Sequence, residues 1–167
     1  MKDFTPEELK ELYRTLSLGA LKFYLLRVDP KKKMIFNPEE SIDFHGYTGP
    51  FIQYTHARIK SILRKQTPSD TNSIQQTVLL PLEKELLIEL ESYPTVIEQA
   101  GNEHDPSHLA NYIYNIAKTF NSFYTEHSVM NAESEEKKQL RLFICAFCAN
   151  VIAGGMKLLG IQVPERM

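Results

Sequence analysis

Glycine is scarce in this chain, with seven in 167 residues, and strand-like alternation of apolar and polar positions is rare. Together these argue against a sheet and for helices. Cysteine is scarcer still. Cys145 and Cys148 alone make no disulfide framework, and with no secretory signal in the opening MKDFTPEELK they fit a reducing, cytoplasmic setting. No uninterrupted apolar run reaches the roughly 18–20 residues that a bilayer-crossing helix needs, so no membrane role is expected. An excess of charge of one sign is also missing. The formal net charge is −2, which removes any global attraction for nucleic acid and gives no case for DNA; an RNA contact would have to come from a local patch. What is present is 43% hydrophobic residues, enough for one packed core at this length.

Helix signals recur along the chain. Thr5-Pro6-Glu7-Glu8 combines a capping threonine, a proline at the first helical position and a capping-box glutamate. Leu9, Leu12, Leu16, Ala20, Phe23 and Leu26 then recur at helical spacing to about Arg27, before Asp29-Pro30 and the basic triplet Lys31–Lys33. Met34–Phe36 reads as extended, and Asn37-Pro38-Glu39-Glu40 opens a short helix. Residues 66–76 form a polar connector. Leu80-Pro81 starts a helix with Leu82, Leu86, Leu87 and Leu90 inward and Glu83, Glu85, Glu89 and Glu91 as its exposed edge. Tyr93-Pro94 bends the chain into a short helix stopped by Gly101. Asp105-Pro106 starts the best-patterned helix, with Leu109, Ile113, Ile116, Phe120 and Phe123 on one stripe to about Glu126. Ser134 caps the last helix, whose stripe is Leu140, Ile144, Phe147, Val151 and Leu158, and Gly160 ends it. Gly154-Gly155 inside that helix costs about 1 kcal/mol per glycine relative to alanine, which points to close packing or a bend.

The residues that carry chemistry elsewhere do not assemble here. Cys145-Ala-Phe-Cys148 lacks two further zinc ligands at suitable spacing and sits mid-helix, away from the helix N-terminus that activates redox thiols. His104 and His108 are separated by a helix start and do not share a face. The glutamates of 83–91 fit a solvated helix edge. No Ser-His-Asp set or phosphate-cradling loop is present, so no catalytic residue, metal ligand or cofactor is expected in this chain.

The stretch that organises the rest is Asp43–Lys65, DFHGYTGPFIQYTHARIKSILRK. Gly46 and Gly49 offer backbone freedom for a turn, and Pro50 suits the first turn of the helix that follows. Phe51, Tyr54, Ile59, Ile62 and Leu63 fall near one stripe, while Gln53, His56, Arg58, Lys60, Arg64 and Lys65 gather polar and positive groups. Pattern alone favours a capped amphipathic helix with a solvated basic side over a phosphate-holding one.

The run G-Y-T-G-P-F-I-Q-Y-T-H-A-R-I resembles the G-x-T-x-P-Y-x-Q-Y-x-x-x-R-I segment of arginyl-tRNA synthetases, with Phe51 in place of the commoner tyrosine. S-L-G-A-L-K-F-Y-L-L-R-V-D-P, D-P-S-H-L-A-N-Y-I-Y-N-I-A-K-T-F-N-S-F-Y and the terminal G-M-K-L-L-G-I-Q-V-P-E-R-M are similar to the same enzymes, in the same order. The H-I-G-H signature is absent, and Lys33-Met34 is not followed by Ser-Lys-Ser. The resemblance therefore implies a C-terminal piece: a helical lead-in over residues 1–45 from the junction with a catalytic domain, and an all-α anticodon-binding helical bundle over 46–167. It implies binding of the anticodon stem-loop of tRNA-Arg, with arginine ligation, ATP and magnesium belonging to the full enzyme. By the same resemblance Tyr124 and Met167 meet anticodon-loop bases, and Tyr47, Gln53, Tyr54, His56 and Arg58 belong to a loop and helix start that approaches the tRNA. Whether Gln53, Tyr54 and Arg58 touch RNA or brace the loop stays open. From the residues alone, a free-standing helical protein-interaction module and an RNA-binding regulator that reuses this fold are the rivals.

Overall fold

A computed structural model of the chain describes residues 4–69 and 77–167. The described residues form seven helices and no strand: α1 (Pro6–Leu26), α2 (Pro38–Ser41), α3 (Gly49–Lys65), α4 (Pro81–Glu91), α5 (Tyr93–Glu103), α6 (Ser107–Glu126) and α7 (Glu135–Leu158). The all-α helical bundle expected from the sequence is what forms. Thr5 and Glu8 make the reciprocal capping box of α1, Asn37 caps α2, and the Thr48 hydroxyl accepts from the Phe51 N–H at the start of α3. Asp105 accepts from the Ser107 N–H at 2.9 Å and so caps α6 from two residues before it. Of the connector expected over 66–76, residues 66–69 are non-helical, and 70–76 lie outside the described residues.

Helix α7 is the central element. It packs on α3, α6 and α4, while α6 also meets α4 and α5, and α1 lies along α3. Phe23, Ile52, Ile59, Leu86, Ile113, Ile116, Phe120, Phe123, Leu142, Ile144 and Ile152 are all fully buried, each worth about 1.5–3 kcal/mol against exposure. Gly155 lets α6 approach: a Cβ there would stand 2.1 Å from the Ile113 Cδ1, and one on Gly154 would stand 2.8 Å from the Tyr93 hydroxyl. Since α7 runs unbroken through both, the glycine pair serves packing. Cys145 and Cys148 are buried core thiols, and burial pushes Cys145 up to about 12.

Several expectations need correction. Helix α7 is long and apolar enough, by length and composition, to cross a bilayer, and 67% of its apolar window is buried inside the bundle. Arg141 and Lys157 bound the apolar stretch and Asn150 interrupts it, so no uninterrupted run of that length exists although the mean over the helix is apolar. The buried surface of α7 is wider than the expected stripe. Leu140, Ile144 and Val151 are buried as expected, but Phe147 and Leu158 are 55% and 60% exposed, and Leu142, Cys145, Cys148, Ile152 and Met156 are buried as well, because α7 is covered from more than one side. Helix α5 passes through Gly101 to Glu103. It ends at His104, which takes the left-handed conformation (φ 53), with the Asp105 N–H on the Ala100 carbonyl at 3.0 Å. Gly46 and Gly49 have no positive φ. Gly49 is required instead for contact, since a Cβ on it would lie 2.5 Å from the Gly19 carbonyl oxygen.

The largest departure is Glu83, expected on an exposed edge and found fully buried. Its carboxylate accepts from the Arg141 Nε at 2.9 Å, from the Lys137 Nζ at 2.5 Å and from the Leu80 N–H at 2.8 Å. Arg141, 2% exposed, also donates to the Ser128 carbonyl and to Glu133. Burial alone would raise the Glu83 pKa, but these donors outweigh it and hold it below the ordinary value. Removing one member of such a buried pair strands the other charge. Glu83→Ala should therefore cost about 3–5 kcal/mol, read as a lowered urea midpoint, while the exposed Glu91→Ala should stay within about 0.5 kcal/mol.

Candidate nucleic-acid interface

The face of α3 that points away from the core carries Tyr54, 42% exposed, and Arg58 one turn further on. Alongside on α6 is Tyr124, 39% exposed. The Arg58 guanidinium lies 4.8 Å from the centroid of the Tyr54 ring and 5.4 Å from that of Tyr124. The Tyr124 ring stacks on the buried Phe120 (6.2 Å, 16°), so one flat face is supported from within the core. Beyond Tyr54 the ladder continues to Phe44, 42% exposed, edge-on at 6.5 Å. Two accessible rings thus flank a single cation, and a third extends the row beyond Tyr54.

Arg58 does not hang free. It donates to the Asn121 Oδ1. The Asn121 Nδ2 donates in turn to the Thr55 hydroxyl and the Ala117 carbonyl, each at 2.8 Å. The guanidinium is therefore braced by the protein and held between two rings. Next to Tyr124 an open groove of about 330 Å³ is lined by Ile62, Lys65, Thr125, Ser128, Val129 and Met130. It offers an aromatic wall, one ammonium and two hydroxyls, the mixture that suits a splayed base and its phosphate.

The remaining residues singled out from the sequence lie elsewhere. Gln53 is fully buried, and its Nε2 donates to the Thr15 carbonyl of α1 at 3.1 Å and to the Gln162 carbonyl at 2.7 Å. His56, 2% exposed, is bonded through Nδ1 to the Pro164 carbonyl at 2.9 Å. Tyr47 packs its ring edge-on to Phe23 and Tyr114, its carbonyl accepts from Arg27, and burial pushes its phenol up to about 12. These three face inward and act as braces, although the sequence had grouped them with the residues that approach RNA. Lys60 pairs with Glu165 at 3.0 Å and Arg64 donates to the Glu165 carbonyl at 2.8 Å. Positions 53, 56, 60 and 64 of α3 thus form one side that fastens the C-terminal tail, which ends at the half-buried Met167.

Sequence reasoning missed Phe44, Thr55 and Asn121. Phe44 stood in the quoted D-F-H-G turn with no periodicity to mark it. Asn121 lies off the apolar stripe of α6, and its pairing with Arg58, 63 positions away, leaves no trace in local spacing. Among the described residues no group of three or more His, Cys, Asp or Glu converges on a point that could take a metal ion.

Exposed aromatic rings and arginine planes are surfaces on which unstacked bases can stack, and this all-helical bundle sets both side by side. A family model described as "DALR anticodon binding domain" matches residues 52–167, and the chain belongs to that family. Along its whole length it is 52% identical to the arginine–tRNA ligase of Flavobacterium psychrophilum, of which it spans 28%. It is 44% identical to that of Parabacteroides distasonis, covering 100% of this chain and 29% of that ligase. The solved arginyl-tRNA synthetase of Thermus thermophilus superposes with a TM-score of 0.90 at 33% identity, over 99% of this chain and 29% of that one. That of Plasmodium falciparum shares the fold at 24% identity and a TM-score of 0.83, over 94% and 28%.

Burial holds the His56 imidazole below its ordinary 6.5, against the opposing pull of the Pro164 carbonyl and Glu165. The unfolded chain therefore takes up this proton first, and the tail attachment loses stability as the pH falls through about 6.5. Acidifying from about pH 7.5 to about pH 5.5 should lower the melting temperature more in the wild type than in His56→Gln, which keeps an N–H donor but does not titrate.

Proposed function

We propose that this chain binds the anticodon arm of tRNA-Arg as part of an arginine–tRNA ligase acting in the cytoplasm. The observation that carries the reading is the Phe44–Tyr54–Arg58–Tyr124 ladder, on a chain whose family is described by anticodon binding. Tyr54 and Tyr124 would take bases on their open faces, with Arg58 holding the two rings in register and lending its charge. Met167 would reach the same loop from the tail. Gln53, His56 and Tyr47 would contribute at one remove, by fixing the tail and the turn before α3. Ligation of arginine, with ATP and magnesium, would belong to the portion of the ligase that this chain does not span, so the chain by itself should bind and not ligate.

Titration of labelled tRNA-Arg at two salt concentrations tests this. Binding should weaken at the higher salt as phosphate contacts are screened, and a non-cognate tRNA should bind less well. Tyr124→Ala should cost about 1–3 kcal/mol of affinity, the worth of one stacked base, read below the variant's own melting temperature because the ring also covers Phe120. Equal affinity for wild type and variant would remove Tyr124 from the site.

A further inference from the structure

Arg14, Arg27, Arg141 and Arg166 each stand within ion-pair distance of a glutamate. Arg58 is held differently. Among the described residues it meets no carboxylate, and its hydrogen bond goes to the uncharged Asn121 Oδ1. Its charge is anchored without being cancelled. The anchor has a single orientation. The Asn121 Nδ2 donates to the Thr55 hydroxyl and to the Ala117 carbonyl, each at 2.8 Å. The Thr55 hydroxyl, fully buried, is itself committed to the Phe51 carbonyl at 2.9 Å, so toward Asn121 it can only accept. Exchanging the oxygen and nitrogen of the amide would set an oxygen against the Ala117 carbonyl and an NH2 group against the guanidinium. The oxygen therefore has to face Arg58. Asparagine is a poor residue for a helix interior, and Asn121 lies well inside α6. Completing this relay is what it does there.

The relay decides how Arg58 can meet a ligand. With Nη1 held by Asn121 and the rings of Tyr54 and Tyr124 beside it, the guanidinium cannot turn freely. Nε and Nη2 are the donors left over, and side by side they form a planar fork that matches two adjacent acceptors. We propose that Asn121 is a positioning residue: by holding one end of Arg58 it leaves the Nε–Nη2 edge to a paired acceptor on the bound RNA, either two phosphate oxygens or the edge of an unstacked base. The inference rests on the anticodon-arm reading above and names the residue that makes its cation selective. A loose guanidinium attracts any nearby phosphate, whereas a fixed one takes only acceptors that arrive in its plane.

The test is a double-mutant cycle on this chain with Asn121→Ala, Arg58→Ala and the two combined. Each protein is titrated, at two salt concentrations, with a labelled hairpin carrying the tRNA-Arg anticodon loop and with hairpins changed at one loop base at a time. Asn121→Ala should weaken binding about tenfold, the worth of a charge-assisted hydrogen bond, and should cost nothing further in the Arg58→Ala background. If the acceptor is a phosphate, Asn121→Ala weakens all hairpins alike and lowers the salt slope by about 0.7. If it is a base edge, the slope stays and the preference at one loop position is lost. Thr55→Val, which frees the amide to turn, should give the same pattern in milder form and serves if Asn121→Ala does not fold. Equal losses with and without Arg58 would overturn the proposal, because an asparagine that only supports the fold costs the same in both backgrounds. Nitrogen NMR of the free chain reads the anchor without RNA. Arg58 should show separate Nη1 and Nη2 signals that merge in Asn121→Ala, and merged signals in the wild type would defeat the proposal. Separate signals with no affinity for any hairpin would defeat the functional reading and leave the anchor standing; affinity with an additive cycle does the reverse.

Discussion

The contact on which the rest depends is the approach of α1 to α3 at Gly19 and Gly49. No side chain separates the two backbones there, and the Gln53 amide fills the space beside them, so near that a Cβ on Gly19 would stand 2.4 Å from its Nε2. That amide faces three ways at once. It is rooted in α3, donates to α1 through the Thr15 carbonyl, and donates to the C-terminal tail through the Gln162 carbonyl. Its Nε2 donors are satisfied by these two acceptors, while its buried Oε1 has no partner among the described residues, an orphaned acceptor that costs about 1–3 kcal/mol. Three segments far apart in sequence are thereby locked in one register. The rotation of α3 follows from this lock: with Gln53 turned inward, Tyr54 and Arg58 must face out.

The opposite side of the bundle is held by a different device. The Glu83–Arg141 pair and its neighbours Lys137 and Glu133 tie α4 and the loop before α7 to α7 itself. A buried ion cluster of this kind is weak as a source of net stability and strong as a constraint on geometry, since only one arrangement satisfies every charge. It fixes the loop containing Ser128, which forms one wall of the groove beside Tyr124.

Fold class, helix starts and the stripe on α6 were legible because they are local: caps, prolines and 3.6-residue spacing act within a few positions. Tyr124 was singled out by the resemblance alone; spacing puts it beside the apolar stripe, where a boundary core residue and an exposed ring look the same. What could not be read was every assignment that depends on a second element. Glu83 looks like any helix-surface glutamate until Arg141 is brought against it, 58 positions on. Lys60 and Arg64 look like free cations until Glu165 arrives. Gln53 and Tyr54 are adjacent in one motif, yet one is fully buried and the other is not. Similarity in sequence marks both and does not say which way each faces.

Four main-chain carbonyls of the tail are gripped by side chains of the bundle. Lys22 reaches the Gly160 carbonyl, Gln53 that of Gln162, His56 that of Pro164 and Arg64 that of Glu165. A grip on carbonyls is indifferent to which amino acids bear them but strict about how many there are. The side chains of Gln162 and Pro164 can change without loosening those grips, whereas Val163 packs on the core and Glu165 pairs with Lys60; a single inserted or deleted residue would slide each oxygen past its donor and shift where the chain end comes to rest.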